Sequence, residues 1–367
     1  MSDQPSFAFL VHPRGPLSND LARVWTPLGH LPEGLCDNAL RRFRLPPVAM
    51  ARVEIGGQRV GSIVLVPFGA RHLLDQPSEG RHRISRAVDK AVAMGSSLVG
   101  LGALTATVTG GGVSLRRRTD IGVTNGNAFT AAIIDTQARR LLTDAVHPAC
   151  ERHVAVVGAT GSIGSAVSRL LARDRAVGRL TLIARPAPQL AALAAETSAL
   201  VSTLATNRME AVAGADLVIS LTASAGEVLG SEHLAPGAVV LDATQPRNTS
   251  PTLAAQRPDV LVAEGGVVDI PSLRLLGGNI GLPDGLAYAC FAETALLALT
   301  GHRGHFAIGA PPLELVDHTR ALASDLSHLG FTAAAPTSFG RPVTLGSHEQ
   351  PGHRRRPDRG PVKRAAA

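Results

Sequence analysis

The chain has 367 residues, of which 45% are hydrophobic, 18% charged and 3% aromatic, and its formal net charge is +7. This length and apolar content suit two packed domains and exclude a collagen, a disulfide scaffold or a largely disordered protein. Three widely spaced cysteines without metal-ligand spacing predict a reducing cytoplasm and no metal site. The few aromatic residues give no basis for a base-stacking surface, and no nucleic-acid partner is expected.

The first 135 residues predict a small α/β domain. The start, MSDQPSFAFLVHPRG, lacks the basic lead and sustained apolar run of a secretory signal, and FAFLV predicts a first strand. An uncharged stretch over residues 96–115 is rich in glycine and threonine, so it predicts strand and loop and no transmembrane segment. The other predicted elements are strands at 50–55 and 61–68 and a helix at 84–95.

A second pattern begins after a long helix predicted over residues 127–145, which joins two domains. Beyond Pro148, apolar strands alternate with helical patterns, and most of these strands are continuous apolar runs, as burial on both faces requires. A doubly wound parallel sheet, the Rossmann type, is therefore predicted. The predicted strands are 153–157, 180–184, 217–220, 238–242 and 260–263, and the helices that follow are 286–299 and 313–329.

The predicted fold class is α/β, with a Rossmann domain and a smaller N-terminal α/β domain. Residues 341–367 carry seven basic and two acidic residues and so account for +5 of the net charge. We expect a solvated extension there, with contact to an acidic carrier protein or nucleic acid as the alternative. The predicted divisions are 1–135 (substrate domain), 136–278 (Rossmann domain), 279–338 (helices returning to the first domain) and 339–367 (disordered basic tail).

The segment VAVVGATGSIGSAV has the pattern of a strand, a glycine turn and a helix start. Gly158, Gly161 and Gly164 have GxxGxxG spacing, which lets the backbone approach a phosphate while the helix N-terminus directs N–H groups at its charge. Thr160 and Ser162 add hydroxyl donors. We predict a dinucleotide site here, with a tight turn that binds nothing as the alternative.

The end of the next strand, LTLIAR, bears on the choice of nicotinamide cofactor. An acidic residue there would bind the ribose 2′-hydroxyl of NAD, but this chain has Arg185. A cation favours the 2′-phosphate of NADPH. The alternative is an exposed arginine at a strand end.

Cys290 lies in the apolar segment ACFAETALL. A helix predicted to begin near Asp284 places Cys290 beyond the first turn, where the helix dipole has little effect. Glu293, three residues later, opposes ionisation of the thiol unless hydrogen bonds orient its carboxylate. From the pattern alone a buried structural cysteine is favoured, and a nucleophile that accepts an acyl group is the alternative.

Several motifs occur in a consistent order: FAFLVHPR, GLGALTA, TNGNAFTA, VAVVGATGSIGSAV, LIAR, LDATQPRN, EGGVV, ACFAETALL and HLGF. Over residues 7–334 the chain thereby resembles the long-chain acyl–acyl carrier protein reductases of cyanobacteria, which form fatty aldehydes with NADPH. The resemblance implies that Cys290 is the acyl-accepting nucleophile and that Asn125, Gly126 and Asn127 face the substrate cleft. The implied cofactor residues are Gly158, Ala159, Thr160, Gly161, Ser162, Ile163, Gly164 and Arg185.

The chain departs from this family at three places. Phe129 stands where the family has a histidine, ATQPRN replaces GGYPKN, and HRGHFAIGA replaces WHTNFSWGR. The expected reaction is the NADPH-dependent reduction of an acyl thioester, from acyl carrier protein or coenzyme A, to an aldehyde. His302, His305 and Tyr288 are more often surface or packing residues than proton donors.

Two other functions stay open, because a small N-terminal domain beside a Rossmann domain also resembles shikimate dehydrogenase. One is an NADP-dependent alcohol or hydroxy-acid dehydrogenase, for which the expected Lys/Asp pair is not found. The other is a non-catalytic NADPH-binding regulator, which does not need Cys290.

Overall fold

A computed structural model describes residues 6–13, 30, 32–143, 148–222, 224, 226–244 and 247–343. Residues 344–367 of the tail predicted over 339–367, and the end of the helix predicted over 127–145, lie outside these ranges. The start of that tail is ordered, since Arg341–Pro342 forms a strand paired with Thr337–Ser338.

Strands and helices alternate through the described residues. The strands are β1 (Phe7–Val11), β2 (Val48–Ile55), β3 (Gln58–Leu65), β4 (Leu98–Leu101), β5 (Gly122–Thr124), β6 (His153–Val157), β7 (Arg179–Ile183), β8 (Ser202–Thr206), β9 (Leu217–Ser220), β10 (Val239–Asp242), β11 (Leu261–Glu264), β12 (Val267–Asp269), β13 (Arg274–Leu276), β14 (Leu286–Tyr288), β15 (Thr332–Ala333), β16 (Thr337–Ser338) and β17 (Arg341–Pro342). The α-helices are α1 (Glu33–Arg42), α2 (Ala70–Asp75), α3 (Pro77–Ala93), α4 (Leu104–Val108), α5 (Asn127–Thr143), α6 (Ser162–Arg173), α7 (Pro188–Ser198), α8 (Pro251–Gln256), α9 (Ala289–Leu299) and α10 (Leu313–Asp325).

The first sheet has the strand order β13-β2-β3-β1-β4-β5. Strands β3, β1, β4 and β5 are parallel, whereas β2 and β13 are antiparallel additions. Because parallel strands end at the same edge, the residues after β1, β4 and β5 lie along one border of the sheet. Asn125, directly after β5, belongs to that border.

The second sheet has the order β8-β7-β6-β9-β10-β11, and its neighbouring strands are all parallel. Numbered along the chain within this sheet, the order is 3-2-1-4-5-6, the Rossmann arrangement. The strand order reverses between β6 and β9, and ligands of such sheets bind in the crevice at the carboxyl ends of these two strands. Gly158 follows β6 at that point.

One buried cluster fills the space between the two sheets. It includes Phe7 and Phe9 of the first sheet, Val154 of the second, and Phe129 and Phe291 of the helices between them. The Phe291 ring stands edge-on to those of Phe7 and Phe9, with centroids 5.6 and 5.3 Å apart. Helix α5 contacts α6, α9 and α10, so it is the central element that both sheets share.

The α/β class with a Rossmann domain is confirmed. Strands β6 and β9 have the predicted bounds, β10 begins one residue later than predicted, and β7 and β11 are each shifted by one residue at both ends. Strand β8, with the sequence STLAT, was not predicted, because it is an edge strand with little apolar pattern. Helix α5 runs unbroken through residue 135, where a domain boundary was predicted, and β13 pairs with β2 of the first sheet.

The helix predicted over 286–299, with its start near Asp284, is wrong in its first turn. Leu286–Tyr288 forms β14, which pairs antiparallel with β12, and the helix begins at Ala289. Gly285 has φ +80°, a left-handed conformation that leads into this strand and not into a helix. The pairing partner lies about 20 residues upstream, so the local pattern does not reveal it. The helix predicted over 313–329 ends at Asp325, followed by a 3₁₀ turn.

Candidate active site

The glycine turn after β6 is packed so closely that side chains are excluded. Gly158 has φ +85°, and a Cβ there would lie 2.7 Å from the carbonyl oxygen of Leu221. A Cβ on Gly164 would lie 2.3 Å from the carbonyl oxygen of Gly158. Helix α6 therefore begins directly behind β6, and its first N–H groups face the crevice at the sheet's reversal point.

An open pocket of about 440 Å³ lies next to this turn. Its lining includes Thr160 of the glycine turn and Arg185, Pro186, Ala187 and Gln189 after β7. The structure therefore places Arg185 beside the glycine turn. A residue that binds the 2′-phosphate of the cofactor ribose would lie at this position. The close-packed turn, the helix N-terminus and this cationic pocket together fit a dinucleotide.

Ser162 has a role that the sequence did not reveal. Its hydroxyl donates to the carbonyl oxygen of Gly309 at 2.9 Å and accepts from Asn127 Nδ2 at 2.8 Å. The hydroxyl was predicted to be a donor to a bound phosphate, but here it connects the glycine turn to the first residue of α5.

Asn125 extends this connection. Its Nδ2 donates to the carbonyl oxygens of Gly111 and Gly309 at 2.9 and 2.8 Å, and its Oδ1 accepts from the N–H of Asn127 at 3.0 Å. The predicted substrate segment Asn125, Gly126, Asn127 is thus fixed between the edge of the first sheet and the glycine turn of the second.

Cys290 lies at the other side of the same segment. Gly126 has φ +77°, and a Cβ there would lie 2.2 Å from the Cβ of Cys290. The backbone of Gly126 thus packs directly on the cysteine, which is half-buried. Because α9 begins at Ala289, Cys290 is in its first turn, where the helix N-terminus favours a thiolate. The expectation that it lies beyond that turn is corrected.

Glu293 is fully buried one turn further along α9. Its carboxylate accepts from Thr124 Oγ1 and from the N–H of Phe129 at 2.7 Å. Burial raises the pKa of Glu293 to about 7, against the opposing effect of hydrogen bonds from Thr124 and from backbone N–H groups at the start of α5. Hydrogen bonds therefore orient this carboxylate, which is the condition under which it was predicted not to oppose ionisation of the Cys290 thiol.

A polar cluster lies directly after β9 and β10. The Asp242 carboxylate is buried and accepts from the N–H groups of Thr244, Asn248 and Thr249. Asn248 Oδ1 in turn accepts from the hydroxyl of Thr222, the second residue after β9. Asp242, the last residue of β10, thus binds the described backbone of the LDATQPRN motif that follows it, at the carboxyl end of the sheet, and the position of the motif at the end of an apolar strand marks it in the sequence.

The histidines after α9 have unequal roles. His305 Nδ1 accepts from the N–H of Val123 at 3.1 Å, and Nε2 lies 3.0 Å from the carbonyl oxygen of Arg116. Both ring nitrogens are thus hydrogen-bonded to backbone groups, and His305 links the loop after α9 to β5 and to the residue Arg116. The His302 ring contacts Phe306 edge-on, with centroids 5.3 Å apart. These are packing roles.

Among the described residues, no group of three or more His, Cys, Asp or Glu side chains is arranged to hold a metal ion. None of the helices within the described ranges has the length and apolar character needed to cross a membrane.

A family model described as shikimate/quinate 5-dehydrogenase matches residues 140–262, which include the glycine turn and Arg185. Together with the strand order, this match defines the class: a Rossmann-type, NAD(P)-dependent oxidoreductase. The cofactor of this class is a nicotinamide dinucleotide.

Two curated relatives are similar over longer ranges. The aminotransferase PigE of Serratia sp. (strain ATCC 39006) is 29% identical over 68% of this chain and 30% of its own length. The long-chain acyl-[acyl-carrier-protein] reductase of Synechococcus elongatus (strain ATCC 33912 / PCC 7942 / FACHB-805) is 31% identical over 51% of this chain and 54% of its own length. The chain thus spans less than two thirds of either relative.

Two solved structures show a distant similarity, at low identity and low TM-score. The ligand-free 5-ketofructose reductase of Gluconobacter sp. strain CHM43 is 12% identical, covers 88% of this chain and 100% of its own, and has a TM-score of 0.37. The A chain of dipicolinate synthase from Bacillus subtilis is 13% identical over 72% and 89% of the two chains, with a TM-score of 0.35.

Proposed function

We propose that this protein is an NADPH-dependent acyl thioester reductase that forms an aldehyde through an acyl group carried on Cys290. The observation that supports this best is the two-residue segment Gly126–Asn127. Gly126 packs on Cys290, while Asn127 donates to Ser162 of the glycine turn. The same short segment thus contacts both the proposed nucleophile and the glycine turn. This arrangement places a group bound on Cys290 near the dinucleotide, as hydride transfer requires.

The first step is transfer of the acyl group. The Cys290 thiolate attacks the thioester carbonyl, the new C–S bond forms, and the bond to the donor thiol breaks, so that the donor leaves as a thiol after taking up a proton. The first-turn position on α9 favours the thiolate that this step requires.

The second step reduces the acyl group. A bound NADPH would supply a hydride to the acyl carbon. The hemithioacetal oxyanion then collapses, the bond to Cys290 breaks, and the aldehyde and the Cys290 thiolate are released. The half-buried setting of Cys290 and the closed packing of Gly126 against it limit the access of water that would hydrolyse the acyl group.

The substrate donor is an acyl carrier protein or coenzyme A thioester. This proposal draws on the motifs around Cys290 and on the acyl-[acyl-carrier-protein] reductase among the relatives. NADPH is the proposed form of the cofactor because a cation, Arg185, lines the pocket beside the glycine turn.

Cys290→Ser provides the test. With NADPH and a panel of acyl thioesters of different chain length, we expect aldehyde formation to fall at least about 100-fold, because a hydroxyl without an adjacent base is a weak nucleophile. NADPH binding should stay within a few-fold of the unaltered protein. Without NADPH, intact-protein mass spectrometry should detect an acyl adduct on Cys290.

Cys150→Ser is the matched control, since Cys150 is also a free thiol but is exposed in the turn before β6. It should keep both the adduct and the aldehyde. Full aldehyde formation by Cys290→Ser would refute the covalent mechanism.

A second candidate is an NADP-dependent hydroxy-acid dehydrogenase, which the shikimate/quinate family match favours. Such an enzyme is expected to have a catalytic Lys/Asp pair, and the sequence has two lysines. Lys90 is exposed on α3, and Lys363 lies outside the described ranges, so the described residues do not supply this pair at the site. Under this function Cys290→Ser would leave activity toward hydroxy acids intact.

A further inference from the structure

Helices α5 and α9 both begin at the proposed acyl site. Glu293 of α9 is hydrogen-bonded to the residues that lead into α5 and to its first turn. Glu293 belongs to α9, three residues after Cys290. Its two carboxylate oxygens accept from Thr124, the last residue of β5, and from Phe129 in the first turn of α5. The N–H groups of Gly126 and Ala128 also face this carboxylate.

These bonds enclose the segment that touches Cys290. Thr124 and Phe129 lie on either side of Gly126, so the Glu293 carboxylate holds both ends of the short turn whose middle packs on the cysteine. Because Glu293 and Cys290 share one rigid helix, the carboxylate fixes the distance between the thiol and the turn. Glu293 is fully buried and does not itself face the cleft.

We propose that Glu293 is a positioning residue that holds Gly126 against Cys290 and thereby sets where an acyl carbonyl meets the thiolate. This inference rests on the proposed acyl transfer to Cys290. A misplacement of a reacting group by about 1 Å can cost on the order of 100-fold in rate, so loss of the carboxylate should impair acyl transfer well before it affects the thiol itself.

The test compares two reactions of the same thiol. Acylation by an acyl-coenzyme A thioester needs the turn in place, whereas alkylation by iodoacetamide needs only an accessible thiolate. Both are measured as adducts on Cys290 by peptide mass spectrometry, in a Cys36→Ser, Cys150→Ser background. For Glu293→Ala we expect the ratio of acylation to alkylation rates to fall by at least about 10-fold.

Glu293→Gln should restore the ratio to within about threefold of the unaltered protein. The glutamine oxygen can accept from Phe129 N–H while its amide donates to the Thr124 hydroxyl. Both rates are measured on folded protein, because unfolding exposes the thiol to iodoacetamide and would lower the ratio by itself. Under that condition a role in stability alone would leave the ratio unchanged.

Thr124 offers a second pair of variants in case Glu293→Ala fails to fold. Thr124→Val removes the hydroxyl that donates to the carboxylate and should lower the ratio, whereas Thr124→Ser keeps the hydroxyl and should not. An unchanged ratio in both Glu293→Ala and Thr124→Val would overturn the inference while the acyl adduct on the parent protein still upheld the proposed function. If the parent protein formed no acyl adduct, the proposed function and this inference would both fail.

Discussion

Two strand-to-helix junctions form this site, and they differ in how they are encoded. At the first, β6 leads through the glycine turn into α6, and three glycines at fixed spacing mark the turn. At the second, β14 leads directly into α9 without a glycine turn between Tyr288 and Ala289. The first junction is specified by local sequence, whereas the second depends on β12 as a partner for β14.

The difference shows how each junction is kept in position. The glycine turn is held by contacts between neighbouring strands of its own sheet, such as that of Gly158 with Leu221. The cysteine junction, from β14 into α9, is held by the start of α5. Gly126, just before α5, packs on Cys290, and Phe129 in the first turn of α5 donates its N–H to Glu293 of α9. The start of α5 thus supports both junctions, since Asn127 also bonds to Ser162.

The largest expected effect comes from breaking the cysteine junction alone. Gly126→Ala places a methyl group 2.2 Å from the Cβ of Cys290, on a residue with φ +77°. Overpacking and left-handed strain together should cost about 2–5 kcal/mol of unfolding free energy. Acyl transfer to Cys290 should fall about 100-fold, measured as adduct formation without NADPH.

Gly281→Ala separates strain from overpacking. Gly281 has φ +79°, but a Cβ there would meet nothing within 4 Å. It should lose about 1–2 kcal/mol of stability and retain acyl transfer. Equal rates in the two variants would mean that the contact between Gly126 and Cys290 has no part in the reaction.

Arg185→Ala tests cofactor binding at the glycine-turn junction. A charge-assisted contact with the 2′-phosphate contributes roughly 1.5–3 kcal/mol, so NADPH affinity should fall about 10- to 100-fold while NADH affinity changes by less than about threefold. Cofactor fluorescence measures both constants. Acyl adduct formation on Cys290 should be unchanged, because that step needs no cofactor.

Arg179→Ala is the matched control, since Arg179 lies at the opposite end of the same strand, β7. It should leave both cofactor affinities unaltered. If Arg185→Ala lowered the affinities for NADPH and NADH equally, Arg185 would not be the residue that binds the 2′-phosphate.

The sequence was sufficient for the parts of the site that depend on local pattern. Strands such as β6 and β9 are continuous apolar runs between turns, and the glycine spacing of residues 158–164 marks a helix start behind a strand. Cys290 was singled out by its segment and by resemblance, and its role as a nucleophile stays a prediction.

The remainder depends on contacts between distant residues. Glu293 bonds to residues more than 160 positions earlier, and Ser162 Oγ bonds to Gly309, so no window of sequence contains these pairs. The polar edge strand β8 and the three-residue strand β14 are defined by their neighbours, β7 and β12. Such elements exist because a partner completes their hydrogen bonds, and their own residues carry little pattern.

The smallest expected effect concerns the pH dependence that Glu293 introduces at the cysteine junction. Its pKa rises from an ordinary 4.5 to about 7 in the folded protein, chiefly through burial. Between these values the folded state binds the proton more tightly than the unfolded chain does, so the stabilisation is fully present below pH 4.5 and is lost as the pH rises through 7. The unaltered protein should therefore lose roughly 1–3 kcal/mol of unfolding free energy from this group between pH 5 and pH 8.

Glu293→Gln cannot titrate, so its free energy of unfolding relative to that of the unaltered protein should rise over this pH range. Urea denaturation at each pH measures this difference. Glu314→Gln, on the exposed side of α10, provides the baseline for removing an acid. Parallel pH profiles for Glu293→Gln and the unaltered protein would show that the buried carboxylate titrates no differently from one in the unfolded chain, so that Glu293 gives the cysteine junction no pH dependence.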